Sequence, residues 1–308
     1  MALVVWASAF AGIQAGLRSY GPGELALLRF GTASAVLGVY AASKRMRLPR
    51  AGDLGILALA GLLGITGYHL LLNFGEQTVS AGAASILIAT GPIFTAVMAT
   101  AFLRERLTVL GWVGVALAFS GDAVIALKAG GGLRLEPAAL LVLGAAVCTA
   151  AYFVVGKQPL RHYTALEFTT YAVWLGTLPM LAFLPGFLRQ LPRATTSSTL
   201  TVLYLGVFPG ALAYVLWSYA LARLPASLCA SFLYFQPVVA MIIAFAWIRE
   251  VPSAQALVGG AISIAGVVLL GTLGRVAEAA PTEVGEAAPL PSDASALLAD
   301  EEPEFDGA

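Results

Sequence analysis

Residues Ala81–Glu105 read AGAASILIATGPIFTAVMATAFLRE: 23 positions without a charge, closed abruptly by Arg104-Glu105. The chain repeats this phrase at Ala226–Glu250, ASLCASFLYFQPVVAMIIAFAWIRE. A shift of 145 positions lays Pro92 on Pro237, Arg104 on Arg249 and Glu105 on Glu250. Without a gap, the same shift lays Gly61 on Gly206, Gly114 on Gly259 and Gly121 on Gly266. A register held from Gly61 to Gly121 with no insertion identifies an internal duplication.

The composition places the duplicated unit in a membrane. The 308 residues are 59% hydrophobic and 11% charged, with a mean hydropathy of +0.86. Soluble domains are about 25% charged and seldom hold uncharged apolar runs beyond about 18 residues, so a soluble enzyme is excluded. The 17 basic and 17 acidic residues are unevenly spread. Nine acids follow Arg275, which leaves residues 1–275 with 17 basic against 8 acidic residues. That is a membrane body with basic loops and an acidic tail, not a nucleic-acid binder. Cys148 and Cys229 both sit in apolar segments and read as packed thiols, with no disulfide or metal framework.

Apolar runs of membrane-spanning length predict ten helices: 3–17, 24–42, 54–74, 81–103, 109–127, 137–155, 166–184, 200–221, 226–248 and 254–273. The first is short, and Met1 leaves little room before it. No basic region precedes it as in a cleavable signal peptide, and it belongs to the repeat pattern. Lys and Arg in the short loops set the orientation. A cytoplasmic N-terminus puts ten of them inside, among them Lys44, Arg45, Arg47 and Arg50 of SKRMRLPR, against six outside. Both termini are therefore expected in the cytoplasm.

Five helices per copy is an odd number, so the two copies enter the membrane in opposite senses. The expected fold is an all-α membrane protein of ten transmembrane helices arranged as two inverted five-helix repeats, a plan of secondary transporters with a site near the midplane. The first repeat spans residues 1–128 and the second 137–274. The flexible linker Ala129–Glu136, AGGGLRLE, joins them, and residues 275–308 form an acidic tail expected to be disordered.

The chain resembles the EamA family within the drug/metabolite transporter superfamily, in its ten-helix branch. The residues that carry the resemblance are Trp6-Ala-Ser-Ala-Phe10 in helix one and Leu28-Arg29-Phe30 in helix two. The Pro92 helix closing on Arg104-Glu105-Arg106-Leu107, its repeat at Pro237 closing on Arg249-Glu250, and Gly111, Gly114 and Gly121 complete it. The likeness covers residues 1–273. It implies a multi-pass carrier of the bacterial inner membrane that commonly exports metabolites, amino acids or toxic compounds, without fixing one substrate. In the second copy CTAAYFVVGK, from Cys148, lacks the first copy's tryptophan, so the two halves of any site are chemically unequal.

Ionisable residues inside a bilayer are functional candidates by default. Arg29, His69 and Asp122 qualify, each about five residues from the outer end of its helix and so roughly 7–8 Å deep. Gln14 lies at a similar depth. Two readings stay open: Arg29 and Asp122 form a structural ion pair, or Asp122 or His69 takes up a proton coupled to transport. His69 could equally hydrogen-bond the substrate. Glu24, Glu76 and Glu167 are expected at helix ends within reach of water. Trp6, Phe10, Tyr68, Tyr152, Tyr214, Trp217 and Tyr234, with Asn73 and Gln236, make the candidate substrate-binding set, suited to an amphipathic or cationic solute. Tyr214 occupies the position of His69 in the other copy, which marks the two as a pair. Tyr20, Tyr40 and Tyr163 read as interface anchors. Pro92 and Pro237 are the expected helix kinks. The glycines of helices five and ten are packing surfaces within the carrier or between two copies, as in a homodimer.

The leading reading is a secondary exporter of small organic solutes working by alternating access, with lipid and substrate as its partners and no cofactor or metal. No GxxxxGK[ST] is present to bind ATP. The alternatives are a facilitative carrier of another solute class, such as nucleotide sugars or sugar phosphates, and an intramembrane enzyme. Only His69 and His162 exist, without HExxH or GxSx, which leaves an enzyme little to work with.

Overall fold

The computed structural model describes residues 1–103, 107–126, 137–249 and 253–273. Arg104, Glu105 and Arg106, the linker Ala129–Glu136, Glu250 and the tail 275–308 lie outside the described residues. So do the side chains of Asp122, Tyr234 and Pro237.

The regular elements among the described residues are helices. They are α1 (Ala2–Gly16), α2 (Pro22–Ser43), α3 (Leu54–Gly61), α4 (Tyr68–Gly75), α5 (Ala81–Ile88), α6 (Gly91–Phe102), α7 (Val109–Ala126) and α8 (Pro137–Gly156). Then follow α9 (Ala165–Thr177), α10 (Leu184–Gln190), α11 (Thr196–Leu205), α12 (Ala213–Arg223), α13 (Ala226–Ser231), α14 (Gln236–Ile248) and α15 (Ala254–Leu273). Several run on through 3-10 or π turns. Six continuous stretches among the described residues are long and apolar enough to cross a membrane: Pro22–Ser43, Ala51–Gly75, Ala81–Phe102, Pro137–Arg161, Ala165–Arg193 and Thr196–Arg223. Shorter apolar helices, Ala2–Gly16 among them, accompany these. Val39, Phe102, Val109 and Ile242 are 64–80% exposed on the outside of the bundle, which only lipid or detergent can cover without cost.

Local chemistry sets the helix starts. Ser80 and Thr195 accept from the amides of Ala83 and Ser198, and Thr164 with Glu167 forms a reciprocal capping box before α9. Glu167 therefore works at a helix end as expected. The carbonyls at the end of α12 are capped from outside: Lys157 Nζ donates to Leu221 O at 2.9 Å and to Leu224 O at 2.6 Å. The stretch after Thr177 is longer than the apolar run indicated. It passes Leu184 as 3-10 turns and α10, to end at Arg193.

Two interruptions recur 145 positions apart. Between α5 and α6 the helix breaks at Ala89–Thr90, just before Pro92, whose missing N–H and bulky ring disrupt the preceding turn. Thr90 Oγ1 and Thr95 Oγ1 donate to Leu87 O at 2.7 Å and to Gly91 O at 2.9 Å, so the loosened turn is held by hydroxyls. In the second copy a 3-10 turn, Phe232–Phe235, stands at the corresponding place before α14. The other pair is two π turns, Leu62–Gly67 between α3 and α4, and Gly206–Leu212 between α11 and α12. Pro209 lies inside the second, and bonds reaching from i to i+5 leave room for a residue without an N–H.

Glycine sets how closely the helices approach. A Cβ on Gly61 would meet Ala172 O at 2.5 Å, and one on Gly206 would meet Arg29 O at 2.5 Å. Both π-turn helices thus cross a helix of the other half backbone to backbone. α7 packs along α15 in the same way. A Cβ on Gly114 would meet Gly266 O at 2.5 Å, and one on Gly121 would meet Gly259 O at 2.5 Å. Because Gly114 corresponds to Gly259 and Gly121 to Gly266, the contact is reciprocal: each glycine touches the counterpart of the other. α1 packs against α14, and α8 packs against α5 and α6.

Candidate functional site

The wall of the central cavity is built from both halves. α1 contributes Trp6, Ala9 and Phe10, α2 contributes Arg29, and α4 contributes Tyr68, His69 and Leu72. Ile88 closes α5, Thr149 and Phe153 come from α8, Tyr214 from α12, Leu233 from the 3-10 turn before α14, and Gln236 from the first position of α14. The space they enclose is about 30 Å³, room for about one water, so an organic solute enters only when the walls part.

At its centre His69 and Tyr214 are bonded to each other. His69 Nε2 and Tyr214 Oη are 3.0 Å apart, and the Tyr214 hydroxyl also donates to Gly64 O at 2.9 Å. A hydroxyl has one proton and a carbonyl can only accept, so His69 Nε2 carries the proton in their bond. Nδ1 of His69 has no hydrogen-bond partner among the described residues. The two residues are 145 positions apart, so the pair anticipated from the repeat register is a direct contact. Gly64 O belongs to the first π turn. Its counterpart in the second, Pro209 O, accepts from Trp6 Nε1 at 3.0 Å. Each π turn thus presents a carbonyl that takes a side-chain donor from the other half.

Aromatic rings pack around this core. Trp6 stands edge-on to Tyr214 at 5.3 Å between centroids and lies 5.0 Å from Trp217. Phe30 lies 4.3 Å from the His69 ring and Tyr68 4.5 Å from it. Trp6→Phe keeps the ring contacts and removes the donor to Pro209 O. It is expected to cost about 1 kcal/mol, read as a lower Tm in detergent; an unchanged Tm would mean that the carbonyl finds another donor.

The cavity gathers Trp6, Phe10, Tyr68, His69, Tyr214 and Gln236 from the candidate set, together with Arg29. Tyr152 and Trp217 are buried one layer behind, Tyr152 stacked on Phe168 at 5.6 Å and Trp217 tilted against Phe153 at 5.1 Å. Gln14 and Asn73 turn elsewhere. The Gln14 amide donates to Glu76 O at 2.7 Å and Val79 O at 2.9 Å, and Asn73 Nδ2 donates to Pro22 O at 3.0 Å. Gln14 ties α1 to the loop after α4, and Asn73 ties α4 to the start of α2. Glu76 is 1% exposed, so water does not reach it as its place at a helix end implied; the loop after α4 folds under Gln14 and encloses it. Tyr20 is likewise buried, bonded to Thr199 Oγ1 at 2.7 Å, rather than set at an interface. Asp122 stands on α7, which packs against α15, α5 and α6. Six cavity residues escaped the sequence reading: Ala9, Leu72, Ile88, Thr149, Phe153 and Leu233. Phe153 could have been found, since it adjoins Tyr152 in the second copy of helix one.

Apolar helices of bilayer-crossing length, folded around a small aromatic and polar cavity, define a polytopic membrane protein with a polar site among its helices. The chain belongs to the EamA-like transporter family, whose sequence profile matches residues 1–127 and again 136–272. It is a membrane transporter of that family. A "Probable terminal-alkyne amino-acid exporter" of Streptantibioticus cattleyicolor is 45% identical over 281 residues, covering 91% of this chain and 94% of the relative. The "Uncharacterized transporter YdfC" of Bacillus subtilis is 40% identical, covering 85% and 86%. The "Uncharacterized inner membrane transporter YedA" of Escherichia coli is 28% identical, covering 78% of each chain. A solved structure titled "Crystal structure of protein" shares the fold with a TM-score of 0.62 at 20% identity, covering 87% of this chain and 93% of that one.

Proposed function

We propose that the chain is a secondary transporter that exports small organic metabolites, amino acids with apolar side chains among them, by alternating access at the His69–Tyr214 cavity. The observation that carries this reading is that residues in equivalent positions of the two copies meet at one point inside the membrane body. A site shared by two halves is what rocking of one half against the other exposes to each side in turn. The ten-helix, inverted arrangement is part of the proposal, supported by the reciprocal Gly114–Gly266 and Gly121–Gly259 contacts. The unit boundaries 1–128 and 137–274 and an inner-membrane setting with both termini in the cytoplasm follow the repeat register and the basic loops. The amino-acid class follows the name of the relative at 45% identity. No chemical step on the substrate is assigned.

The test is flux in proteoliposomes holding the purified chain, with L-propargylglycine, a terminal-alkyne amino acid, as the labelled solute. Saturable flux is expected in wild type. Accumulation driven by an imposed pH gradient, and lost in His69→Ala or Asp122→Asn, assigns proton coupling to that residue. Saturable flux that only equalises concentrations makes the carrier facilitative. No saturable flux for any amino acid or aromatic metabolite overturns the proposal.

A further inference from the structure

Arg29 is among the largest side chains buried in the molecule, 1% exposed, and it lines the cavity. Its guanidinium lies 5.3 Å from the Phe30 ring. Nε and Nη1 have no hydrogen-bond partner among the described residues, and Arg29 makes no ion pair among them. Glu76 acts on it electrostatically without lining the cavity. A guanidinium carries five donors in a planar fork and stays charged, so burying it with so few bonds is costly unless a partner arrives. A carboxylate matches that fork with two parallel hydrogen bonds.

The rest of the wall says what else such a partner holds. Among the described residues no Asp or Glu lines the cavity, so a cation entering it meets the fixed positive charge of Arg29. Tyr68, Thr149 and Gln236 offer hydroxyl and amide groups, and Trp6, Phe10 and Phe153 offer apolar and aromatic faces. An ammonium group beside a carboxylate can rest on Gln236 or on an aromatic face.

Resting on the transport reading above, we infer that Arg29 is the carboxylate anchor of the site: the substrates are monocarboxylates with a compact apolar group, apolar α-amino acids included, and lone cations are rejected. Of the amphipathic or cationic solutes that the aromatic residues suit, the anchor favours the amphipathic ones that carry a carboxylate. The anchor lies in the first copy; the 145-position shift sets Trp174 opposite it, so the carboxylate has one polarity in the cavity.

The experiment compares L-propargylglycine with its amide and with but-3-ynylamine, its decarboxylated counterpart, in proteoliposomes of wild type, Arg29→Lys and Arg29→Gln. Wild type is expected to move the acid at least about tenfold faster than the amide or the amine, because a site built for a charged acceptor rejects analogues that lack it. Arg29→Gln should lose at least about tenfold of the acid flux and admit the amine, with Arg29→Lys between. In detergent the acid, and not the amine, should raise the wild-type Tm; this reading holds even where Arg29→Gln folds poorly. Amine and amide moving as fast as the acid in wild type, or acid flux unchanged in a folded Arg29→Gln, overturns the anchor and leaves the transport reading standing. Folded wild type that moves none of the three, nor any other amino acid, removes both.

Discussion

A Gly266→Leu chain is expected to be recovered largely as aggregate, whereas Gly271→Leu, on the same helix, behaves as wild type. A Cβ at position 266 would stand 2.3 Å from Ala118 N and 2.6 Å from Gly114 O. Both are backbone atoms of α7 and cannot rotate away, so α15 must lift off along its length. Overpacking by a methylene in a core costs about 1–3 kcal/mol, and four added carbons against backbone exceed that range. Position 271 has nothing within 4 Å of its added carbon. The measurement is the monodisperse fraction on size exclusion in mild detergent, with Tm where a peak survives. Equal behaviour of the two variants would show that α7 and α15 do not hold the fold together. Gly121→Leu should match Gly266→Leu, since its Cβ would meet Ser263 N at 2.4 Å and Gly259 O at 2.5 Å.

Tyr214→Phe is expected to lower flux at least about tenfold and to destabilise the protein by about 1–3 kcal/mol, the cost of leaving buried polar groups unpaired. One missing oxygen deprives two partners, His69 Nε2 and Gly64 O. His69→Ala removes the imidazole and leaves the Tyr214–Gly64 bond intact, so its stability cost should be smaller while its flux loss is similar. The pair lends itself to a double-mutant cycle. If His69 and Tyr214 act as one unit, the double variant transports no worse than the poorer single variant. Losses that simply multiply would show two independent roles.

How far the sequence could be read depended on which property carried the signal. Apolar run length placed the helices well: Ala254–Leu273 matches its expected bounds, and the starts at Ala81, Val109 and Pro137 are met. The repeat register went further and paired His69 with Tyr214, because two residues at equivalent positions of paired halves can meet at the centre. Depth along a helix was a weaker guide, since it fixes height and not direction. Gln14, which the sequence sets at a similar depth, turns to the carbonyls of residues 76 and 79 instead. The π turns were not legible at all. Pro209 announces a disturbance in one copy, but its counterpart is Gly64, and nothing in LLGITG marks a bond from i to i+5. Those turns supply two carbonyls that hold the centre together, so the hidden feature shapes the site.

The α7–α15 contact also bears on how the chain is made. Gly114 and Gly266 are 152 positions apart, which at about 5–20 residues per second is roughly 8–30 s of synthesis. Throughout that interval α7 has left the ribosome and its glycine face has no α15 to meet. A ribosome stalled anywhere short of Ala254 releases a chain in which that face stays open. The α7–α15 contact therefore forms late in synthesis, long after its first partner has been made.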